Sequence, residues 1–142
     1  MARSKKDMIA LLGKVPLFEG LSRKELESIL SAGKEIVHRE EHDIVEEGAT
    51  GVGFHLIVEG EAEVVVGGSP RAKLRAGDYF GEMSLIDGGP RSATVKTTTP
   101  VRTLALTSWA FMPLLDKSPS IARKLLLEMS KRLRKVEDSL RH

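Results

Sequence analysis

The stretch with the most chemical content is Phe80-Gly81-Glu82-Met83-Ser84-Leu85-Ile86-Asp87-Gly88-Gly89-Pro90-Arg91-Ser92-Ala93-Thr94-Val95. Gly81 has no Cβ, so a ligand can approach its backbone closely. Glu82 to Ile86 suffice for one helical turn, whose free N–H groups would face an anion. Gly88-Gly89-Pro90 turns the chain back and carries Arg91 and Ser92 toward that helix start. One guanidinium, one hydroxyl and several backbone donors then converge on a volume suited to a phosphate. Glu82 would repel that phosphate, but its carboxylate fits hydrogen bonds accepted from sugar hydroxyls, as acidic residues make with ribose in dinucleotide sites. Taken singly, Glu82 and Arg91 equally describe a surface ion pair, and Gly-Gly-Pro an ordinary hairpin.

The flanking elements must bring these groups together. Residues 1–35 read as helical: Met8, Ile9, Leu11 and Leu12 form an apolar helix, and Val15-Pro16-Leu17-Phe18 an apolar connector. Ser22-Arg23-Lys24-Glu25 matches a capping box ahead of Leu26, Ile29 and Leu30, with Gly33 as the stop. From 36 to 107 the period becomes two. Phe54, Leu56 and Val58 alternate with His55 and Ile57; Ala62, Val64 and Val66 with Glu61 and Glu63; Ala72, Leu74 and Ala76 with Lys73 and Arg75. Gly48, Gly60, Gly67-Gly68-Ser69-Pro70, Gly77-Asp78 and Thr99-Pro100 punctuate these runs, which predicts an antiparallel sandwich or roll. Helical spacing returns from 108 to 142. Trp109, Met112 and Leu115 mark a short helix ending before Ser118-Pro119. Ala122, Leu126, Met129, Leu133, Val136 and Leu140 then form an a/d seam that fits either packing on the β core or a dimer interface.

Length and composition remove other classes. The 142 residues suit one domain, 1–142. Lys+Arg 22 against Asp+Glu 20 leaves a net charge of +2, and one Trp, one Tyr and four Phe offer little for base stacking, so nucleic acid is not an expected ligand. With no Cys there are no disulfides, thiolate metal sites or cysteine nucleophiles. The N-terminus lacks a signal peptide's long apolar region, and no window approaches a membrane span, so a cytoplasmic protein is expected. His38-Arg39-Glu40-Glu41-His42 has the spacing of a zinc peptidase motif, but strand-like Ile36-Val37 and Ile44-Val45 flank it, predicting a solvated hairpin tip. His55 stands without the further histidines a cupin metal site needs. Met83, Met112 and Met129 read as core filler. The run Lys131, Arg132, Arg134 and Lys135 reads as a solvated helix face. No metal site and no catalytic residues are expected.

The Phe80–Val95 string resembles the phosphate-binding cassette of the cyclic nucleotide-binding domain family, whose members include catabolite-activator-type regulators, kinase regulatory subunits and gated channels. Gly48, Phe54, Leu56, Glu59-Gly60, Gly77-Asp78 and Phe80 fall where that family's β-roll has its apolar and turn residues. The segment from Trp109 to His142 resembles its B and C helices. The resemblance implies a mainly β fold, an antiparallel β-roll (double-stranded β-helix, or jelly roll) with N-terminal helices and C-terminal B and C helices. It implies that Glu82 binds the ribose 2′-hydroxyl, Arg91 and Ser92 the cyclic phosphate, and the Met83 and Ser84 N–H groups cap it, with Gly81 along the sugar and Ala93 completing the set. Val64 and Leu74 would line the base. No aromatic follows Phe111 to act as a lid, so Arg123, Lys131, Arg132 or Arg134 would cover the base, and Arg132 is taken as the working choice. A family glycine in the first β turn is replaced by His42-Asp43, which predicts mild strain at His42.

The chain is therefore read as a receptor, not an enzyme, with cAMP preferred to cGMP because serine stands at 92. No cofactor is implied beyond the ligand. Binding would move the C-terminal helix, with a homodimer through 122–140 and an unidentified effector protein as partners. No helix-turn-helix is seen, so no DNA partner is expected. The competing reading is a nucleotide-free roll serving as a dimerisation or protein-interaction module.

Overall fold

The computed structural model describes residues 4–49, 53–87, 89 and 91–141. Gly88 and Pro90 of the expected turn lie outside these residues. Helix α1 (Lys5–Gly13) starts where the Ser4 side chain accepts from the Asp7 N–H. A 3-10 turn (Pro16–Phe18) leads to α2 (Arg23–Ala32), whose Ser22–Glu25 capping box is formed in both directions. Gly33 ends α2 as expected, with extended backbone (φ −89°, ψ 172°). Its missing side chain serves packing, since a Cβ would lie 2.9 Å from Leu104 Cδ1.

Among the described residues eight strands follow: β1 (Lys34–His38), β2 (Asp43–Val45), β3 (Gly53–Glu59), β4 (Ala62–Val66), β5 (Ser69–Leu74), β6 (Tyr79–Phe80), β7 (Thr94–Thr97) and β8 (Val101–Thr107), with α3 (Glu82–Asp87) between β6 and β7. They form two four-stranded sheets, β1-β8-β3-β6 and β2-β7-β4-β5, with antiparallel pairing. Pro70 sits on β5, an edge strand, where its lack of a backbone donor is tolerated. β1 and β2 belong to different sheets, so His38–His42 is a crossover between sheets and not the expected hairpin tip. His38 is buried there, and the left-handed residue is Glu41 (φ 56°), not His42.

Strand alternation identified one face of β3 and missed the other. Phe54, Leu56 and Val58 join the helices in the larger core, while Ile57, also fully buried, packs with Ala62, Val95 and Val101 between the sheets. A central strand covered on both faces loses its polar alternation. Phe18 sits at the middle of the larger core, with ring centroids 5.6 Å from Phe54 and 6.2 Å from Phe111. Its truncation to alanine would cost about 3–5 kcal/mol, a large share of a typical domain's 5–15 kcal/mol.

Helix α4 (Ser108–Lys117) presents Phe111 to this core; Trp109 is exposed, and so is Met112, which was expected as core filler. Met83 is exposed too, and of the three methionines expected as filler only Met129 packs against the core. Helix α5 (Pro119–Arg141) buries Ile121 and Leu125, one residue before the predicted seam positions 122 and 126. The seam residues Leu126, Leu133, Val136 and Leu140 face outward. None of the described helices is long and apolar enough to cross a membrane.

Candidate functional site

The cleft opens where α3 meets the second sheet. Gly81, with φ +81°, bends the chain out of β6, and the first bond inside α3 runs from the Leu85 N–H to the Gly81 carbonyl (3.1 Å). The backbone N–H groups of Met83 and Ser84 precede that bond, so the helix does not use them. The Ser84 hydroxyl donates to the Gly89 carbonyl (3.2 Å), and the Gly89 N–H donates to Asp87 Oδ1 (2.7 Å), shaping the return toward Arg91.

Arg91 is fixed at backbone and side chain. Its N–H donates to the Ala49 carbonyl and its own carbonyl accepts from the Gly48 N–H, both at 2.9 Å. Its Nη2 donates to the Gly53 carbonyl at 2.5 Å. The residue is 8% exposed, and its buried Nε has no hydrogen-bond partner among the described residues. Burial lowers the guanidinium pKa from its ordinary value. A buried cation with an unsatisfied donor carries an uncompensated desolvation cost.

A cavity of about 310 Å³ joins these groups. Gly81, Glu82, Met83, Ser84, Arg91, Ser92 and Ala93 all line it, as does Val64. Leu74 does not; it packs behind, against the cluster between the sheets. The walls also include Val45, Phe80 and Val95, which motif reading overlooked although each belongs to an apolar strand position. The volume matches the lower range of small-molecule pockets, and its few polar groups stand among apolar walls, as such pockets require.

Arg132 lies outside the cavity lining but reaches it through Glu82: Arg132 Nη2 sits 2.9 Å from Glu82 Oε2. The Glu82 carboxylate raises the Arg132 pKa. Arg132 is thus not part of a solvated basic face, unlike its exposed neighbours Lys131, Arg134 and Lys135. Behind Phe80, His55 stacks on the ring at 5.0 Å, and its Nδ1 lies 3.3 Å from Thr103 Oγ1. His38 Nε2 approaches the same hydroxyl at 3.2 Å. Thr103 has one proton to give, so one imidazole accepts it and the other donates to the oxygen. Burial, followed by the charges of Arg91 and His38, lowers the His55 pKa to about 4. No group of three or more His, Asp or Glu among the described residues could hold a metal ion.

Residues 35–118 match the sequence pattern of the cyclic nucleotide-binding domain. The chain is 40% identical over 121 residues to a cyclic nucleotide-gated potassium channel of Rhizobium etli, covering 83% of this chain and 34% of the channel. It is 32% identical over 127 residues to the cyclic AMP receptor protein of Thermus thermophilus, covering 86% of this chain and 59% of the receptor. It thus spans about a third of the length of the first relative and under two thirds of the second. The N-terminal domain of a transcriptional regulator from Streptomyces coelicolor superposes with a TM-score of 0.85 at 28% identity, over 92% of this chain and 94% of that domain.

Proposed function

The chain belongs to the cyclic nucleotide-binding domain family, and from that premise we propose that it is a cyclic nucleotide receptor whose ligand is cAMP in preference to cGMP. The carrying observation is that Arg91, buried and with a free Nε, shares one cleft with Glu82. On this reading Arg91, the Ser92 hydroxyl and the N–H groups of Met83 and Ser84 bind the cyclic phosphate. Glu82 accepts from the ribose 2′-hydroxyl, with Gly81 and Ala93 against the sugar and phosphate. Val64, joined by Val45 and Val95, faces the base; Leu74, outside the cavity lining, is withdrawn from that role.

Arg132 gives the site a route outward. It pairs with Glu82 from α5, and Lys124 on the same helix pairs with Glu25 at 2.7 Å. A ligand that reorganises Glu82 changes one of the two ion pairs holding α5, which is the differential contact a population shift needs. Supporting an output through α5, its seam residues Leu126, Leu133 and Leu140 are 71%, 70% and 82% exposed; a second copy of the helix would cover them. The activity is signalling, not catalysis, in keeping with relatives named as a receptor and a gated channel.

A thermal-shift series with cAMP, cGMP and a cyclic dinucleotide tests the reading. A ligand at a hundred times its Kd stabilises by about 2.7 kcal/mol, so cAMP should raise the Tm by several degrees and more than cGMP. No shift with any of the three at millimolar concentration would leave the nucleotide-free interaction module as the better account.

A further inference from the structure

Resting on that reading, we propose that Gly53 is the positioning residue for the phosphate-binding arginine: its carbonyl orients the Arg91 guanidinium, and that carbonyl reaches its place only because position 53 has no side chain. Gly53 opens β3 opposite Thr107 of β8. A Cβ there would overlap the Leu106 carbonyl oxygen and come within 2.9 Å of both Leu106 C and Thr107 Cα. These are backbone atoms, which cannot swing aside as a flexible side chain would.

Gly81 completes the arrangement. A Cβ at 81 would overlap both Arg91 Nη1 and the Gly53 carbonyl oxygen. The guanidinium therefore lies against the Gly81 backbone with Nη2 tied to Gly53. The tie occupies Nη2, while Nε, shielded from solvent, has no hydrogen-bond partner among the described residues. A planar fork held by one corner presents its remaining donors in a set direction, which lowers the ordering cost of binding an anion. Any larger residue at 53 pushes β3 off β8 and takes the orienting carbonyl with it.

The test uses the whole chain with cAMP as probe. Calorimetry on Gly53→Ala should show cAMP bound about tenfold or more weakly, the scale of a hydrogen bond to a charged group. In an Arg91→Lys background the same change should cost less than about twofold, because lysine has no planar fork for the carbonyl to orient. NMR of arginine-labelled wild type should resolve the two Nη groups of Arg91 as separate signals, the mark of hindered rotation. Unchanged affinity in folded Gly53→Ala, or losses that simply add across the cycle, would overturn the assignment. So would a single averaged Nη signal in the wild type, which decides the matter even if the variant does not fold. Resolved Nη signals in a wild type that binds no cyclic nucleotide would bring down the receptor reading while leaving the seating of Arg91 intact.

Discussion

Arg132 on α5 and Glu82 at the start of α3 are joined at 2.9 Å, with side chains 31% and 24% exposed. The contact puts the long C-terminal helix in direct electrostatic touch with the residue assigned to the sugar. An ion pair this open to solvent adds no more than about 1 kcal/mol, so its importance is positional. Arg132→Gln should leave the melting temperature nearly unchanged while the amides of residues 126–141 exchange faster with solvent. Unaltered exchange would show that α5 is held by its buried Ile121 and Leu125 and by Lys124 alone.

The other tie on α5 responds to acid. Lys124, with further help from the Ser22 backbone, holds the Glu25 pKa at about 2 against its ordinary 4.5. A carboxylate depressed on folding stabilises fully above its unfolded pKa, and that stability disappears as pH falls through the folded one. Denaturant titrations should show a loss between about pH 4.5 and pH 2 that shrinks in Lys124→Met. An identical acid limb in the variant would remove Lys124 as the cause.

A separate window belongs to His55, whose pKa falls from 6.5 to about 4, chiefly through burial, with Arg91 and then His38 adding repulsion. Folded His55 stays neutral where the unfolded chain takes up a proton. Stability is thus complete above pH 6.5 and declines toward pH 4, with a slope of at most about 1.4 kcal/mol per pH unit from this one group. His38, lowered by burial and by His42, acts in the same sense. His55→Gln should flatten the slope in this range without touching the carboxylate window below it. A slope that survives the change would assign it to His38.

The outward seam of α5 bears on assembly. Leu133→Glu should convert the proposed dimer to monomer in sedimentation while leaving the melting temperature of the monomer within a degree or two, because Leu133 is 70% exposed. A wild type that sediments as a monomer at high concentration would rule out that partner.

Local chemistry was readable wherever a few neighbouring residues decide the outcome. Ser22 and Glu25 satisfy each other's backbone donors across a single turn, and the pair formed as the spacing predicts. Gly81, Glu82, Arg91 and Ser92 are brought to one cleft by a connection short enough to be seen in the string itself. What remained hidden depends on distant packing. Met112 is not core filler because Phe111 takes the inward position of α4 and meets Phe18, nearly a hundred positions away in sequence. The core face of α5 is set by Ile121 and Leu125, and a heptad register alone has no knowledge of the surface it lands on. The pairing of Arg132 with Glu82 was not legible in the sequence, because it depends on where α5 passes the start of α3. Gly53 carried no motif, since its demand for glycine comes from the backbone of β8.

Calorimetric titration of wild type and Arg91→Ala with cAMP tests the central claim most directly. The account predicts saturable, one-site binding to the wild type. It also predicts at least a ~30-fold weaker affinity in the variant, from the about 2–5 kcal/mol attached to removing one partner of a buried charge pair. Equal affinity in the two proteins, or no heat from the wild type at millimolar cAMP, would contradict it.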